Sequence, residues 1–468
     1  MTLKVKRIPI STIFQAATMS VPSEGYSAQL VQLKESIDAH CWSRGSYSFM
    51  LVQLNILDNS WQDFLERGEE SEALPTLVHE YVHYMQHFTT TWGFTNFFTC
   101  LDAVLHSFLN RPASGERPQI PLKDNFPSGH TRTLENYATS MHGGVKRDEN
   151  RRFIFAPSAS PPFELAEDTY FDPYLNATKP TYSVTVDNRW VPLTPIVLAE
   201  NMALAASYLT AGLPLAEVER TMSMWGLQYT AVYRTLRAAL PAADCLRLTY
   251  ELTEAALLVP PYSIPMADLL RFVQANRVRL AQLPEEAIIA ECLAHIKLSE
   301  KLPLMVQAAL QKLDGLMTVY QQYAGQYSLF QFMLVLLENM KVGLQYRQLR
   351  PRTYAPRLGM DFINQLVAVI KSPLVQFRGD RQRAFGSSDA AFTDALAQYN
   401  GLLTLHHTLY YKEPVACPLQ PAGSLCTHPR EKECTEDALA APLNPRLKHC
   451  LLYNTLLLTG VFEESPTT

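Results

Sequence analysis

The sequence predicts an α+β protein, predominantly α-helical, with a small sheet in its first half and a helical C-terminal half. Three observations lead there. Ser46 to Leu57 reads S-Y-S-F-M-L-V-Q-L-N-I-L, an apolar run rich in β-formers. Short β-patterned stretches recur at Arg152 to Ala156 and Thr181 to Val186. From about Leu258 onward the apolar residues fall into long helical patterns.

In chain order, Ser46 to Leu57 is expected as one buried strand. A helix follows over about Leu74 to Thr90: Pro75 suits its first turn, Thr89 to Thr91 are poor helix formers, and Gly93 reads as its stop. Leu77, Val78, Val82, Met85 and Gln86 lie on its mostly apolar packing surface. Thr95 to Leu109 carries Phe97, Phe98, Leu101, Val104, Leu105 and Phe108 at helical spacing. Residues 111–152 are polar and rich in Pro, Gly, Asn and charge, which reads as an extended loop or insertion. Asp187-Asn188-Arg189-Trp190 reads as a hairpin turn. Thr194-Pro195 caps a new helix. Val259-Pro260-Pro261 breaks the chain. Helices are then expected at Met266–Leu280, Pro284–Leu298, Pro303–Tyr323, Ser328–Leu349 and Asp389–Leu409.

Composition narrows the function. The 468 residues are 47% hydrophobic, enough for two or three packed units. A net charge of −5 provides no broad basic field for nucleic acid. No stretch approaches the ~18 apolar residues of a membrane span, so no membrane partner is expected. Eight dispersed cysteines without an apolar leader in residues 1–30 predict reduced thiols and a cytoplasmic location.

The chemistry concentrates at His79-Glu80-Tyr81-Val82-His83, which reads H-E-x-x-H. Histidines four apart share one helix face and can grip one Zn²⁺ from the same side. Glu80 is placed to take a proton from a metal-activated water. With 12 His and 45 Asp+Glu in 468 residues, fewer than roughly 0.03 such matches arise by chance. The bland alternative is a polar helix with two structural histidines.

A catalytic zinc needs a third protein ligand. An extended H-E-x-x-H-x-x-G-x-x-H pattern would place Gly at 86 and His at 89, where this chain has Gln86 and Thr89. His87 lies about 12 Å from His79 along the helix axis, too far to join. The favoured third ligand is Glu200, which shares a face with Ile196, Ala203, Leu204 and Ser207. A carboxylate in such an apolar stripe is costly without a cation. The small alanines would let its helix approach the motif helix. Glu338, in the similar string Leu337-Glu338-Asn339-Met340, is the rival. Tyr208 and Tyr170 are candidate oxyanion donors, each of which packing alone would also explain.

His79, Glu80, His83 and a Glu on a later helix resemble the gluzincin branch of zinc metallopeptidases. The wider string H-E-Y-V-H-Y-M-Q-H-F-T-T-T-W-G looks like bacterial proteins of unassigned function that share an H-E-Y-x-H-x-x-Q helix followed by threonines. The likeness covers the motif helix and, loosely, the region through Glu200, but not the C-terminal half. It implies a zincin-like catalytic core over residues 1–258, a water-activating zinc and amide hydrolysis. In such folds an edge strand holds an extended peptide. A second motif of the N-E-x-x-S-D type is absent from the sequence. The remainder divides into a helical domain, 259–410, and a Cys-rich segment, 411–468.

In that last segment Cys417, Cys426, Cys434 and Cys450 cluster with His428 and His449 in a stretch poor in core residues. A second, structural zinc would stabilise it, although no C-x-x-C pair occurs, and free or packed thiols are the alternative. Cys41, Cys100, Cys245 and Cys292 read as ordinary buried thiols.

Two function classes follow. One is a zinc metallopeptidase acting on a peptide or protein substrate, narrow in choice because the helical half is large enough to serve recognition. The other is a non-catalytic zinc-binding interaction or regulatory protein. Glu80 favours the first, since metal binding alone does not require that carboxylate.

Overall fold

The computed structural model describes residues 45–48, 53–56, 67, 74–98, 155–160, 164–172, 177–325, 328–353, 358–371, 374–377, 382–385, 392 and 395. The first elements are β1 (Gly45–Ser48), β2 (Gln53–Ile56), α1 (Leu74–Thr89), β3 (Leu165–Asp172), β4 (Ala177–Val186) and β5 (Arg189–Pro192). Helices follow: α2 (Pro195–Ala211), α3 (Leu215–Met222), α4 (Leu227–Ala239), α5 (Cys245–Leu257), α6 (Ser263–Leu280) and α7 (Glu285–His295). Then come α8 (Leu298–Ala324), α9 (Ser328–Leu349), α10 (Met360–Val367), β6 (Leu374–Phe377) and β7 (Gln382–Phe385). The protein is thus α+β and mostly helical.

The run expected as one strand at Ser46–Leu57 is a pair instead. β1 and β2 are antiparallel, with Gly45 opposite Ile56 and Ser48 opposite Gln53. A continuous apolar run has no period to mark where the chain reverses. β2 pairs in parallel with β6, Gln53 opposite Leu374, and β6 pairs antiparallel with β7. The sheet order is β1-β2-β6-β7. Residues near the C-terminus therefore complete the sheet that precedes α1.

The second sheet, β3-β4-β5, is antiparallel. Asp187 and Asn188 take positive φ of 48° and 57°, the pair of left-handed residues that a two-residue hairpin turn requires. Arg189 and Trp190 belong to β5 rather than to the turn. Asp187 also pairs with Arg234 on α4. Thr181 to Val186 is strand, as expected, within the longer β4. Residues 155 and 156 lie outside any strand.

α1 is the hub of the fold. It packs against β1, β2, α2, α9 and α10. Leu77, Val78, Tyr81, Val82, Tyr84, Met85 and Phe88 are fully buried. Each such side chain contributes about 1.5–3 kcal/mol from removal of its surface from water. Polar groups on the remaining faces are buried too. The Tyr84 hydroxyl donates to the Ile370 carbonyl at 3.1 Å and receives Asn339 Nδ2 from α9 at 3.5 Å.

Gly93 does not stop α1. The helix bends at Thr90, whose hydroxyl donates to Gln86 O at 2.6 Å and accepts from Gly93 N at 2.9 Å. Residues 91–98 are again helical. A Cβ at Gly93 would stand 2.1 Å from His87 O, so the position demands close backbone approach. Gly343 plays the same part on α9, where a Cβ would stand 2.2 Å from Phe88 O. Beside it, buried Arg347 lies 2.8 Å from the Glu254 carboxylate of α5 and donates from Nε to Thr89 Oγ1 at 3.1 Å. The end of α1 is thereby tied to two other helices.

The expected helices Met266–Leu280, Pro284–Leu298 and Pro303–Tyr323 appear with shifted bounds as α6, α7 and α8, and Ser328–Leu349 is α9. The Val259-Pro260-Pro261 break contains a cis Pro260–Pro261 bond. Residues 99–154, including most of the expected Thr95–Leu109 helix and the 111–152 insertion, lie outside the described residues. So does the expected Asp389–Leu409 helix, apart from positions 392 and 395. Among the described residues no helix is long and apolar enough to cross a membrane.

Candidate metal centre

β5 delivers the chain directly into α2. Thr194, extended at φ −73° and ψ 158°, accepts from Val197 N through its hydroxyl, and Pro195 occupies the first turn. The cap starts the helix where the next turn brings Glu200 toward α1. Ala199, Ala203, Ala205 and Ala206 are fully buried on α2, and such small side chains permit close packing against α1. Asn201, next to Glu200, fixes α2 against α4: its Nδ2 donates to Gln228 O at 2.9 Å and its Oδ1 accepts from Val232 N at 2.9 Å.

His79, His83 and Glu200 converge. Glu200 Oε2 lies 3.7 Å from His79 Nε2 and 3.3 Å from His83 Nε2. The two imidazoles are edge to face, with ring centroids 4.9 Å apart. One donor atom from each residue lies within 4.8 Å of the others. A tetrahedral ion with ligand bonds of about 2.0–2.1 Å separates its donors by about 3.3 Å. Both separations to Glu200 are already near that value, and the widest donor pair would close by up to about 1.5 Å. His83 is buried, while His79 and Glu200 keep 17% and 20% of their side chains exposed. The cluster opens on the His79–Glu200 side.

The hydrogen bonds fit a cation. Gln86 Nε2 donates to Ala199 O at 3.1 Å, which turns its Oε1 toward His83 Nδ1 at 3.0 Å. An amide oxygen only accepts, so His83 Nδ1 carries a proton. In its neutral form the ring would present a lone pair at Nε2 to the Glu200 carboxylate. Two acceptors facing each other at 3.3 Å require a proton or a metal between them. The Ala203 backbone faces His79 and favours its protonated form.

Charge perturbs every group. Burial, with Glu200 adding, pushes the Glu80 carboxyl up to about 8, against the opposing pull of His83. Glu80 is 3% exposed, and its Oε2 has no hydrogen-bond partner among the described residues. Burial also opposes ionisation of Glu200, but the His83 charge and hydrogen bonds from both imidazoles outweigh it and hold the carboxyl well below its usual range. At His83 burial works against the cation, yet Glu200 and Glu80 overcome it and the pKa is raised. At His79 burial prevails and the pKa is lowered.

The other sequence candidates fall elsewhere. Glu338 is exposed on α9, while its neighbour Asn339 is buried against α1. His87 is buried beside Phe88 and Phe97, at centroid distances of 5.2 and 5.5 Å, and burial lowers its pKa to about 3. The Tyr208 hydroxyl accepts from Trp225 Nε1 at 2.9 Å, and eight residues along α2 place it about 12 Å from Glu200. Tyr170 lies in β3, its side chain outside the described residues. Cys417, Cys426, Cys434 and Cys450 also lie outside them, as do Cys41 and Cys100. Cys245 and Cys292 are free and buried.

Sequence reasoning missed Gln86 as a site residue and placed it on the packing surface. Its signal was a glutamine three residues after His83 on a face otherwise built for the core. In comparisons with known proteins, no family model, no curated protein and no solved structure matches this chain.

Proposed function

We propose that the protein is a zinc-dependent metallopeptidase of gluzincin type, hydrolysing peptide bonds of a narrow protein substrate in the cytoplasm. His79, His83 and Glu200 would hold the ion. When bound, zinc would supply Lewis acidity toward a water and the scissile carbonyl. The observation that carries the reading is Glu80. Its carboxyl is buried, has an oxygen without a hydrogen-bond partner among the described residues and follows His79 directly on the helix that offers two imidazoles. A purely structural metal site has no use for such a group, whose burial costs stability.

Glu80 would act as general base on the attacking water and then pass the proton to the leaving amine. Its low-polarity surroundings lift its affinity for a proton into the range where both transfers are productive at neutral pH. Glu200 would neutralise part of the ion's charge, and the exposed side of the cluster, at His79 and Glu200, would be the side open to substrate. The four C-terminal cysteines are proposed to hold a second, structural zinc.

The test is Glu80→Gln. The variant should bind zinc as the parent does and lose about 10²–10⁴-fold of its cleavage rate on a peptide found by screening the parent against a peptide library. Parent-like cleavage by the variant, or a zinc-loaded parent that cleaves nothing in the library, would count against a peptidase.

A further inference from the structure

We infer that Gln86 is a positioning residue for the metal site, holding His83 in the one tautomer that can bind an ion and tethering that ring to the helix that carries Glu200. The inference rests on the metal reading above. Gln86 is fully buried. Each end of its amide has one partner: Nε2 with Ala199 O at 3.1 Å and Oε1 with His83 Nδ1 at 3.0 Å. A buried amide satisfied at both ends is strongly orienting, because rotating it would put two donors and two acceptors face to face.

The geometry ties two helices in register. His79 contacts α2 at the Ala203 backbone, and Gln86 contacts it at Ala199, one turn before. Moving forward along α1 moves backward along α2, and Glu200 lies between the two tethers. Gln86 thus fixes both the imidazole and the local distance between the helices.

The consequence is specific. When an ion displaces the Nε2 proton, the remaining proton must sit on Nδ1; without the Gln86 acceptor that buried N–H loses its partner, and the neutral ring would instead keep its proton on Nε2, where Glu200 Oε2 waits at 3.3 Å. That hydrogen bond would occupy the lone pair the ion needs, with no change in net charge. Gln86→Met removes the acceptor at similar length. Gln86→Glu keeps an acceptor for His83 Nδ1, while its second oxygen faces Ala199 O and can bond there only when protonated.

Zinc dissociation constants, measured by competition with a chromophoric chelator, should rise about 10–100-fold for Gln86→Met. Gln86→Glu should recover most of that loss. In zinc-loaded parent protein with ¹⁵N-labelled histidine, His83 should show its proton on Nδ1 and the metal at Nε2. Gln86→Met at parent affinity overturns the inference, as does Gln86→Glu as weak as Gln86→Met. A His83 proton on Nε2 in the zinc-loaded parent does so too, and that readout needs no variant if Gln86→Met fails to fold. A parent that binds no zinc overturns the metal reading itself, whereas a zinc-binding parent with indifferent variants overturns the role of Gln86 alone.

Discussion

His83 Nε2 faces Glu200 Oε2 at 3.3 Å, and His83 Nδ1 is already engaged by Gln86. Either a proton or a metal ion must lie between them: without an ion Glu200 favours the protonated ring, and with one Nε2 would be free to bind it. His79 completes the donor set from one turn earlier on α1. The pair therefore sets the first expectation.

One zinc per chain should depend on these three residues. Elemental analysis of the His79→Ala, His83→Ala double variant should show one zinc fewer than the parent. Glu200→Ala should weaken binding by more than about 100-fold, beyond the usual range for outer-shell changes, and leave α2 intact because alanine is the better helix former. Glu338→Ala, on an exposed position of α9, should bind as the parent does. Parent-like affinity in Glu200→Ala would remove Glu200 from the site.

Zinc uptake should release protons. Without the ion, Glu80 keeps its proton up to about 8, and His83 is also pushed upward. Both protons oppose a cation at the donors. The ion-free state therefore holds more protons than the bound state, and raising the pH favours binding. Apparent affinity should climb from pH 6 toward pH 8 and flatten above it. Calorimetry at pH 7 in buffers of different ionisation enthalpy checks this directly. Heats that do not vary with buffer would contradict it.

The Arg347–Glu254 pair should be costly to break. Both side chains are essentially inaccessible, and Arg347 also serves Thr89 at the end of α1. Arg347→Met leaves the buried Glu254 carboxylate without its cation, with only the Thr353 backbone N–H and hydroxyl as donors, and should reduce unfolding free energy by about 3–5 kcal/mol. Urea denaturation followed by circular dichroism would measure it. A change below about 1 kcal/mol would place this pair among those whose desolvation cancels its attraction.

Cys417, Cys426, Cys434 and Cys450 are proposed to hold a second ion. Cobalt exchanged into the reduced, fully metallated protein should give thiolate-to-metal charge-transfer bands in the near ultraviolet. The bands should persist in the His79→Ala, His83→Ala double variant, which separates the two sites. No such bands in a fully loaded sample would mean free thiols.

Local signals were legible. The Thr194-Pro195 cap starts α2 where the sequence places it, α9 has the expected bounds, and α1 ends one residue early. Glu200 stands out in the sequence because a carboxylate in an alanine-rich stripe needs a cation, and it lies beside the two imidazoles. What was not legible depends on distant partners. The parallel pairing of β2 with β6 joins segments far apart in the chain, and neither strand's own pattern specifies its neighbour. Gly93 looked like a helix stop because a glycine after a helix usually is one; its actual constraint, the nearness of His87 O, exists only once the chain has folded. Gln86 was hidden for the same reason, since its acceptor for donation is a carbonyl on another helix.

The sealing of α1 by two sheet strands and three helices has a kinetic corollary. From Glu80 onward its residues are buried, so hydrogen exchange at the Tyr81 to His83 amides should follow opening of the surrounding elements rather than local fraying. The donors inherit their spacing from the entire fold. An arriving ion would find its three donors already gathered, and the free energy of its capture would go to coordination instead of to ordering the chain.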